Sequence, residues 1–252
     1  MEDIAIIIPI HEYNETIEKL LIRAINSVPK KSDVRISCKN GLSDKFDTLK
    51  SIDDVNITIY ENHNNDSKSD FCSLVNQAVG GTKWFTILEF DDEYTPIWFN
   101  NVEKYIQYKP EVSVFMPLED LYDFNTNEYI GIRNEAPWAS SFSNEVGYID
   151  YDCLESYFDF YLTGAVFNTE DWIEIGGFKP SIKLTFWYEF LLRLTNLGKK
   201  VYIIPKVGYN HYVNRENSLY DIYKKTISDD EGSYWFNKAK ELYTTKEDKP
   251  CE

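Results

Sequence analysis

Trp84-Phe85-Thr86-Ile87-Leu88-Glu89-Phe90-Asp91-Asp92-Glu93 runs from an apolar stretch into four carboxylates among five residues. A short apolar run of this kind reads as a strand buried on both faces, and its acidic end reads as charge delivered to a site. Alternate side chains on a strand share a face, so Glu89 and Asp91 are expected to point the same way, with Asp92 at the exit. Crowded oxygen ligands suit Mg²⁺ or Mn²⁺. Mg²⁺ keeps much of its water and is held by one or two carboxylates plus substrate phosphates, so a phosphorylated ligand is implied. The competing reading makes Asp92 and Glu93 favourable charges ahead of a helix, with Thr95 as N-cap and Pro96 in the first helical position.

Upstream, Ile4 to Ile10 is a second apolar run, followed by Asn14 as an N-cap and by Ile17, Leu20, Leu21, Ala24 and Val28 at helical spacing. Strands are expected at Val34 to Cys38 and Val55 to Tyr60. Helices are expected around Lys45 to Ile52 and from about Ser69 to Val79, the latter ended by Gly80-Gly81. Fully apolar strands alternating with helices predict an α/β fold with a mostly parallel central sheet and helices on both faces. Ligands of such sheets bind beyond the carboxyl ends of the strands. His11, His63 and His211 each follow an apolar run, which places all three near that crevice; singly, each also reads as a polar loop residue.

Downstream come a strand at Val112 to Leu118, then an irregular stretch to about Asp150 that reads as a lid or acceptor loop and holds Asn134 to Trp138 and Ser140-Ser141. Aromatic residues Tyr157, Phe158, Phe160 and Tyr161 read as core or as a sugar-stacking platform. A short helix carries Trp172 and Ile175 and ends at Gly176-Gly177, and a last strand spans Val201 to Pro205. With neither repeat nor linker, residues 1–245 are expected to form a single domain, with a flexible tail over 246–252.

The bulk composition narrows the function. At 252 residues, 43% hydrophobic and 16% aromatic, the chain has ample material for a core. A net charge of −16 and a pI of about 4.6 argue against a nucleic-acid binder. The N-terminal run is too short for a signal peptide and no segment approaches a membrane span, so a cytoplasmic location is expected. Cys38, Cys72, Cys153 and Cys251 lack metal-site spacing and read as free thiols.

Several motifs stand in a fixed order: Ile6-Ile7-Ile8-Pro9, Leu74-Val75-Asn76-Gln77-Ala78, Glu89-Phe90-Asp91-Asp92, Thr163-Gly164-Ala165, Gly176-Gly177-Phe178, and Glu189-Phe190-Leu191-Leu192-Arg193 ahead of Gly198. Together they resemble family 2 glycosyltransferases of the GT-A fold, over most of the chain. The resemblance implies inverting transfer of a sugar from a nucleotide-diphosphate donor, a UDP-sugar by family default, to a hydroxyl of a glycan or other acceptor, with Mn²⁺ or Mg²⁺. It also implies a nucleotide-sugar half over 1–118 and an acceptor half over 119–220. Asp91 is then the first choice of metal ligand, with Asp92 beside it and Glu89 as ligand or ribose contact.

Pro9, His11 and Glu12 follow the first strand, where the family surrounds the nucleotide. Asn40, within Lys39-Asn40-Gly41, stands where the family keeps an acidic base-reading residue. His211 and Arg215 belong to a segment that in the family folds back toward the metal and diphosphate. The family's general base comes from an acidic pair whose places are taken here by Phe186 and Trp187. Glu189 is the nearest carboxylate, although its i,i+4 spacing to Arg193 equally reads as a helical ion pair. That departure favours an alternative, a catalytically silent GT-A module that binds glycan or supports an assembly. A second alternative, a nucleotidyltransferase, calls for a Gly-rich, Lys- or Arg-bearing phosphate loop after the first strand, which Pro9-Ile10-His11-Glu12-Tyr13-Asn14 lacks.

Overall fold

The computed structural model describes residues 3–52, 54–63, 70–139 and 142–243. Strand β1 (Ile4–Ile10) is buried along its length, and Asn14 caps helix α1 (Glu15–Asn26) by accepting from the Ile17 amide. Strands β2 (Asp33–Lys39) and β3 (Asn56–Asn62) follow. Between them the α-helix expected around Lys45 to Ile52 is a 3₁₀ stretch, Ser43–Ser51. Its first residue has no side-chain cap, and its buried Phe46 and Leu49 are three apart, the period of the tighter helix. Helix α2 (Phe71–Ala78) is capped by Asp70; the expected start at Ser69 lies outside the described residues.

Strand β4 (Trp84–Ile87) is wholly buried but stops before the carboxylates. The expected alternation of Glu89 and Asp91 along a strand is therefore corrected: a turn closed by the Asp92 amide on Glu89 O carries them into β5 (Glu93–Tyr94). Thr95 is no helix cap. Its hydroxyl donates to Val207 O at 2.8 Å and its amide to Gly208 O at 3.0 Å, and α3 (Trp98–Tyr108) starts without a side-chain cap.

Strand β6 (Val112–Asp123) runs past the expected Leu118, and β7 (Tyr129–Arg133) turns back along it. With β8 (Tyr148–Ile149) and α4 (Tyr151–Ser156), this gives regular structure to much of a stretch expected to be irregular. Then come β9 (Val166–Asn168), α5 (Thr169–Ile175), α6 (Phe186–Asn196), β10 (Lys200–Val213), α7 (Leu219–Thr226) and α8 (Asp229–Leu242). Ser140-Ser141, the 246–252 tail and Cys251 lie outside the described residues; Cys38, Cys72 and Cys153 are buried and joined in no disulfide among the described residues.

All ten strands join one sheet, whose main path runs β3-β2-β1-β4-β9-β6-β10-β5. The β3-β2-β1-β4 half and the β6–β10 pair are parallel, while β9 is inserted antiparallel between them. An apolar cluster lies on each face. On β1, Ala5 and Ile7 enter one cluster and Ile4, Ile6, Ile8 and Ile10 the other, as alternation requires. No helix among the described residues is long and apolar enough to cross a membrane.

Candidate active site

Glu89, Asp92 and His211 offer ligand atoms that all lie within 4.8 Å of one another. The turn after β4 supplies the two carboxylates and the far end of β10 supplies the imidazole. Asp92 Oδ1 accepts from the Tyr212 amide at 2.8 Å, and Oδ2 stands 3.0 Å from His211 Nδ1. Those last two atoms are buried and face each other as a carboxylate–imidazole pair, and among the described residues neither has any other hydrogen-bond partner. Neighbouring ligands in an octahedral shell with bonds near 2.1 Å stand about 3 Å apart, so the pair is placed as two ligands of one cation would be. Two carboxylates and an imidazole fit Mn²⁺, and Mg²⁺ with waters completing its shell.

The electrostatics agree with that fit. Burial, with Asp92 adding, pushes Glu89 up to about 8, and the same causes raise Asp91. Burial pushes Glu119, on β6, up to about 7. Burial alone would lower His211, but Asp92, Glu119 and Glu89 outweigh it and raise it to about 10. Crowded acids that resist ionisation and an imidazole that holds its proton describe a pocket short of positive charge.

Tyr209 holds the turn in place. The Glu89 amide donates to its hydroxyl at 3.0 Å, and its ring lies so close to Gly164 that a Cβ there would meet it at 2.5 Å. Gly164 also has φ +72°. Gly164→Ala is expected to cost about 2–4 kcal/mol in a denaturant titration, from overpacking and left-handed strain together.

A cleft of about 620 Å³ opens over the cluster at the carboxyl ends of β1, β4, β6 and β10. Pro9, His11, Glu89, Asp91, His211 and Arg215 line it, together with Arg133, Tyr161, Phe186, Trp187, Glu216 and Asp221. Asp91 faces away from the cluster's three ligands toward Arg215, whose Nε donates to its Oδ2 at 2.6 Å. The same guanidinium lies 4.9 Å from the Phe90 ring centroid and 3.6 Å from Glu12 Oε1. His11, lowered by burial, also approaches Glu12, at 3.6 Å. Asn40 and His63 are exposed and form no part of the cleft wall.

Glu189 is the main correction to the expected site. It is 2% exposed and absent from the cleft wall. Arg193 Nε and Nη2 each donate to it at 2.9 Å, Lys179 Nζ stands at 2.7 Å and the Tyr243 hydroxyl donates at 2.8 Å. Burial would raise Glu189, but Arg193, Lys179 and Tyr243 together hold it below the usual range. Arg193 continues to the carbonyls of Ile175 and Gly177, so the pair ties α6 to the turn after α5. Phe186 and Trp187 do line the cleft. Tyr161, read from sequence as core or as part of a sugar-stacking platform, lines the cleft, whereas Arg133 and Glu119 were not among the expected site residues and no motif marks them.

No family model matches the sequence, and no curated protein does. Among solved structures, S. aureus TarS 1-349 superposes with a TM-score of 0.60 at 13% identity, over 83% of this chain and 60% of that one. TarS 1-349 in complex with UDP gives 0.59 at 14% identity, over 87% and 62%. In complex with UDP-GlcNAc it gives 0.59 at 11%, over 85% and 60%. This chain spans about three fifths of that TarS fragment. The likeness defines the fold as the GT-A type.

Proposed function

We propose that the protein is a glycosyltransferase that moves a sugar from a UDP-sugar to an acceptor hydroxyl with inversion, using a divalent ion. The observation that carries this reading is the Glu89–Asp92–His211 cluster, which presents Glu89 and His211 to a cleft on a GT-A-type sheet. The complexes of TarS with UDP and UDP-GlcNAc support the choice of donor. In this reading residues 1–118 serve the donor and 119–220 the acceptor, except that His211 and Arg215 reach back to the donor's diphosphate.

Glu89, Asp92 and His211 hold Mn²⁺ or Mg²⁺, which when bound supplies Lewis-acid stabilisation of the departing diphosphate. Asp91 orients Arg215 so that a second positive charge faces the same phosphates. Pro9 and His11 border the nucleotide, and Glu12 steadies Arg215. As the bond from the anomeric carbon to the diphosphate oxygen breaks, the acceptor oxygen bonds to that carbon and gives its proton to a base. Glu189 is buried away from the cleft wall and tied to Arg193, Lys179 and Tyr243, so it is not placed to receive that proton. We place the base between Glu216 and Asp221, the cleft carboxylates on the segment after β10.

Purified protein with Mn²⁺ and a panel of UDP-sugars is expected to release UDP slowly, and absence of UDP binding would sink the reading. Metal ligands bind deprotonated, so Mn²⁺ affinity is expected to rise as pH climbs through about 8 and on toward about 10, where Glu89 and then His211 give up their protons, as read by calorimetry.

A second reading, a donor-binding module without transfer, is favoured by Phe186 and Trp187 standing in the places of the acidic pair. It predicts metal-dependent UDP binding with no UDP released from any donor.

A further inference from the structure

The chain is strongly acidic, yet Arg133, Lys183, Arg215 and Lys224 all line its cleft. Arg215 is matched by Asp91 and Lys183 by Asp70. Arg133 is placed differently. Its guanidinium carbon lies 3.7 Å from the centroid of the Tyr161 ring. Its Nε stands 4.0 Å from Asp159, a carboxylate more than half exposed to solvent. Its Nη1 is buried and has no hydrogen-bond partner among the described residues. Glu119 sits opposite Arg133 on the β6–β7 ladder and attracts its charge, but Oε1 takes Thr163 and Asn134, and Oε2 makes no hydrogen bond, to Arg133 or to any other described residue.

Tyr161 in turn packs against the His211 ring, with centroids 5.9 Å apart. Arg133 therefore stands one ring beyond the carboxylate–histidine cluster. A guanidinium held against an aromatic face, with a buried N–H unmet, is pre-organised to receive a planar oxyanion through paired hydrogen bonds. The diphosphate already has the cluster and Arg215, so the anion that suits Arg133 is a different one.

We propose that Arg133 recognises a second anionic group, a carboxylate or a phosphate, on the ligand that fills the sugar side of the cleft. The group belongs to the transferred sugar or to the acceptor, and Lys224 on the same wall adds attraction for it. This rests on the reading of the cleft as a nucleotide-sugar site.

The test is calorimetric titration of the full chain and of Arg133→Gln and Arg133→Lys. One arm compares methyl β-D-glucuronide and glucose 6-phosphate with neutral methyl β-D-glucoside. The other compares UDP-glucuronic acid with UDP-glucose in the presence of Mn²⁺, with UDP as reference. Wild type is expected to prefer an anionic probe by roughly tenfold or more, a margin that Arg133→Gln loses and Arg133→Lys only partly keeps. A preference in the UDP-sugar arm puts the group on the transferred sugar; one confined to the glycoside arm puts it on the acceptor.

Affinities for charged and neutral probes within roughly twofold in wild type overturn the proposal, as does a preference that survives Arg133→Gln. If circular dichroism shows Arg133→Gln unfolded, Arg133→Lys decides: a full wild-type preference overturns the proposal and a reduced one supports it. UDP affinity is expected to be the same in all three proteins. Failure of wild type to bind UDP counts against the glycosyltransferase reading alone, because the glycoside arm needs no nucleotide.

Discussion

Glu189→Ala is expected to cost about 3–5 kcal/mol of folding stability, seen as a lower denaturant midpoint and a melting temperature down by roughly 10 °C. The alanine leaves Arg193, 7% exposed, with its charge uncompensated and only the carbonyls of Ile175 and Gly177 to receive it. It also strips Lys179 and Tyr243 of their shared partner. Glu189→Gln keeps the shape and some of the hydrogen bonds, so a smaller loss is expected. That variant separates structure from chemistry: a base replaced by glutamine leaves a stable, silent enzyme, whereas a structural carboxylate replaced by glutamine leaves a weakened fold that still turns over.

The pH dependence of the same tie follows from its sign. The folded state holds Glu189 below its ordinary value of 4.5, so its contribution is fully present above that value and is lost as pH falls through the lower folded one. The stability gap between wild type and Glu189→Gln is expected to narrow in acid. A gap that widens there would contradict the assignment.

Asp92→Asn is expected to abolish metal-dependent UDP binding and to reduce UDP release by about 10²-fold or more, since it weakens a ligand at the point where leaving-group charge gathers. Thermal shift with and without Mn²⁺ measures the first effect and donor hydrolysis the second. Glu89→Gln isolates the electrostatic part. Folding raises Glu89 to about 8, so above its unfolded value the ionised form opposes folding. The metal-free glutamine variant is therefore expected to be more stable than wild type at neutral and alkaline pH, and to gain less from Mn²⁺. Equal gains from Mn²⁺ in both proteins would place the ion elsewhere.

The parallel half of the sheet was legible because Ile4 to Ile10 and Trp84 to Ile87 are apolar but for Thr86, and a strand buried on both faces needs little else. The strands that reach the cleft were harder to see. Pro205 lies within β10, where a proline reads as the end of a strand, and β6 continues beyond the expected Leu118 to Asp123. In the fold β10 shifts register between Ile203 and Tyr209 and then continues to Val213, which is what brings His211 over the turn.

The acidic residues were legible as a site but not in their division of labour. Strand alternation favoured Asp91, whereas the turn between Glu89 and Asp92 brings those two together and frees Asp91 for Arg215. The Glu189–Arg193 pair was visible in its spacing. Arg133 was not, because its contact with Tyr161 depends on how β7 folds back, which no local pattern encodes.

Helix α7 contributes Leu219, Tyr220, Asp221, Tyr223 and Lys224 to the cleft wall, yet none of its residues is buried. Mutation there meets little resistance from the hydrophobic interior, while mutation of Tyr209 or Gly164 disturbs the core at once. Descent with change can thus rewrite the wall of such a cleft through one surface helix, and diverging sister chains would keep the same carboxylate–histidine floor under dissimilar walls.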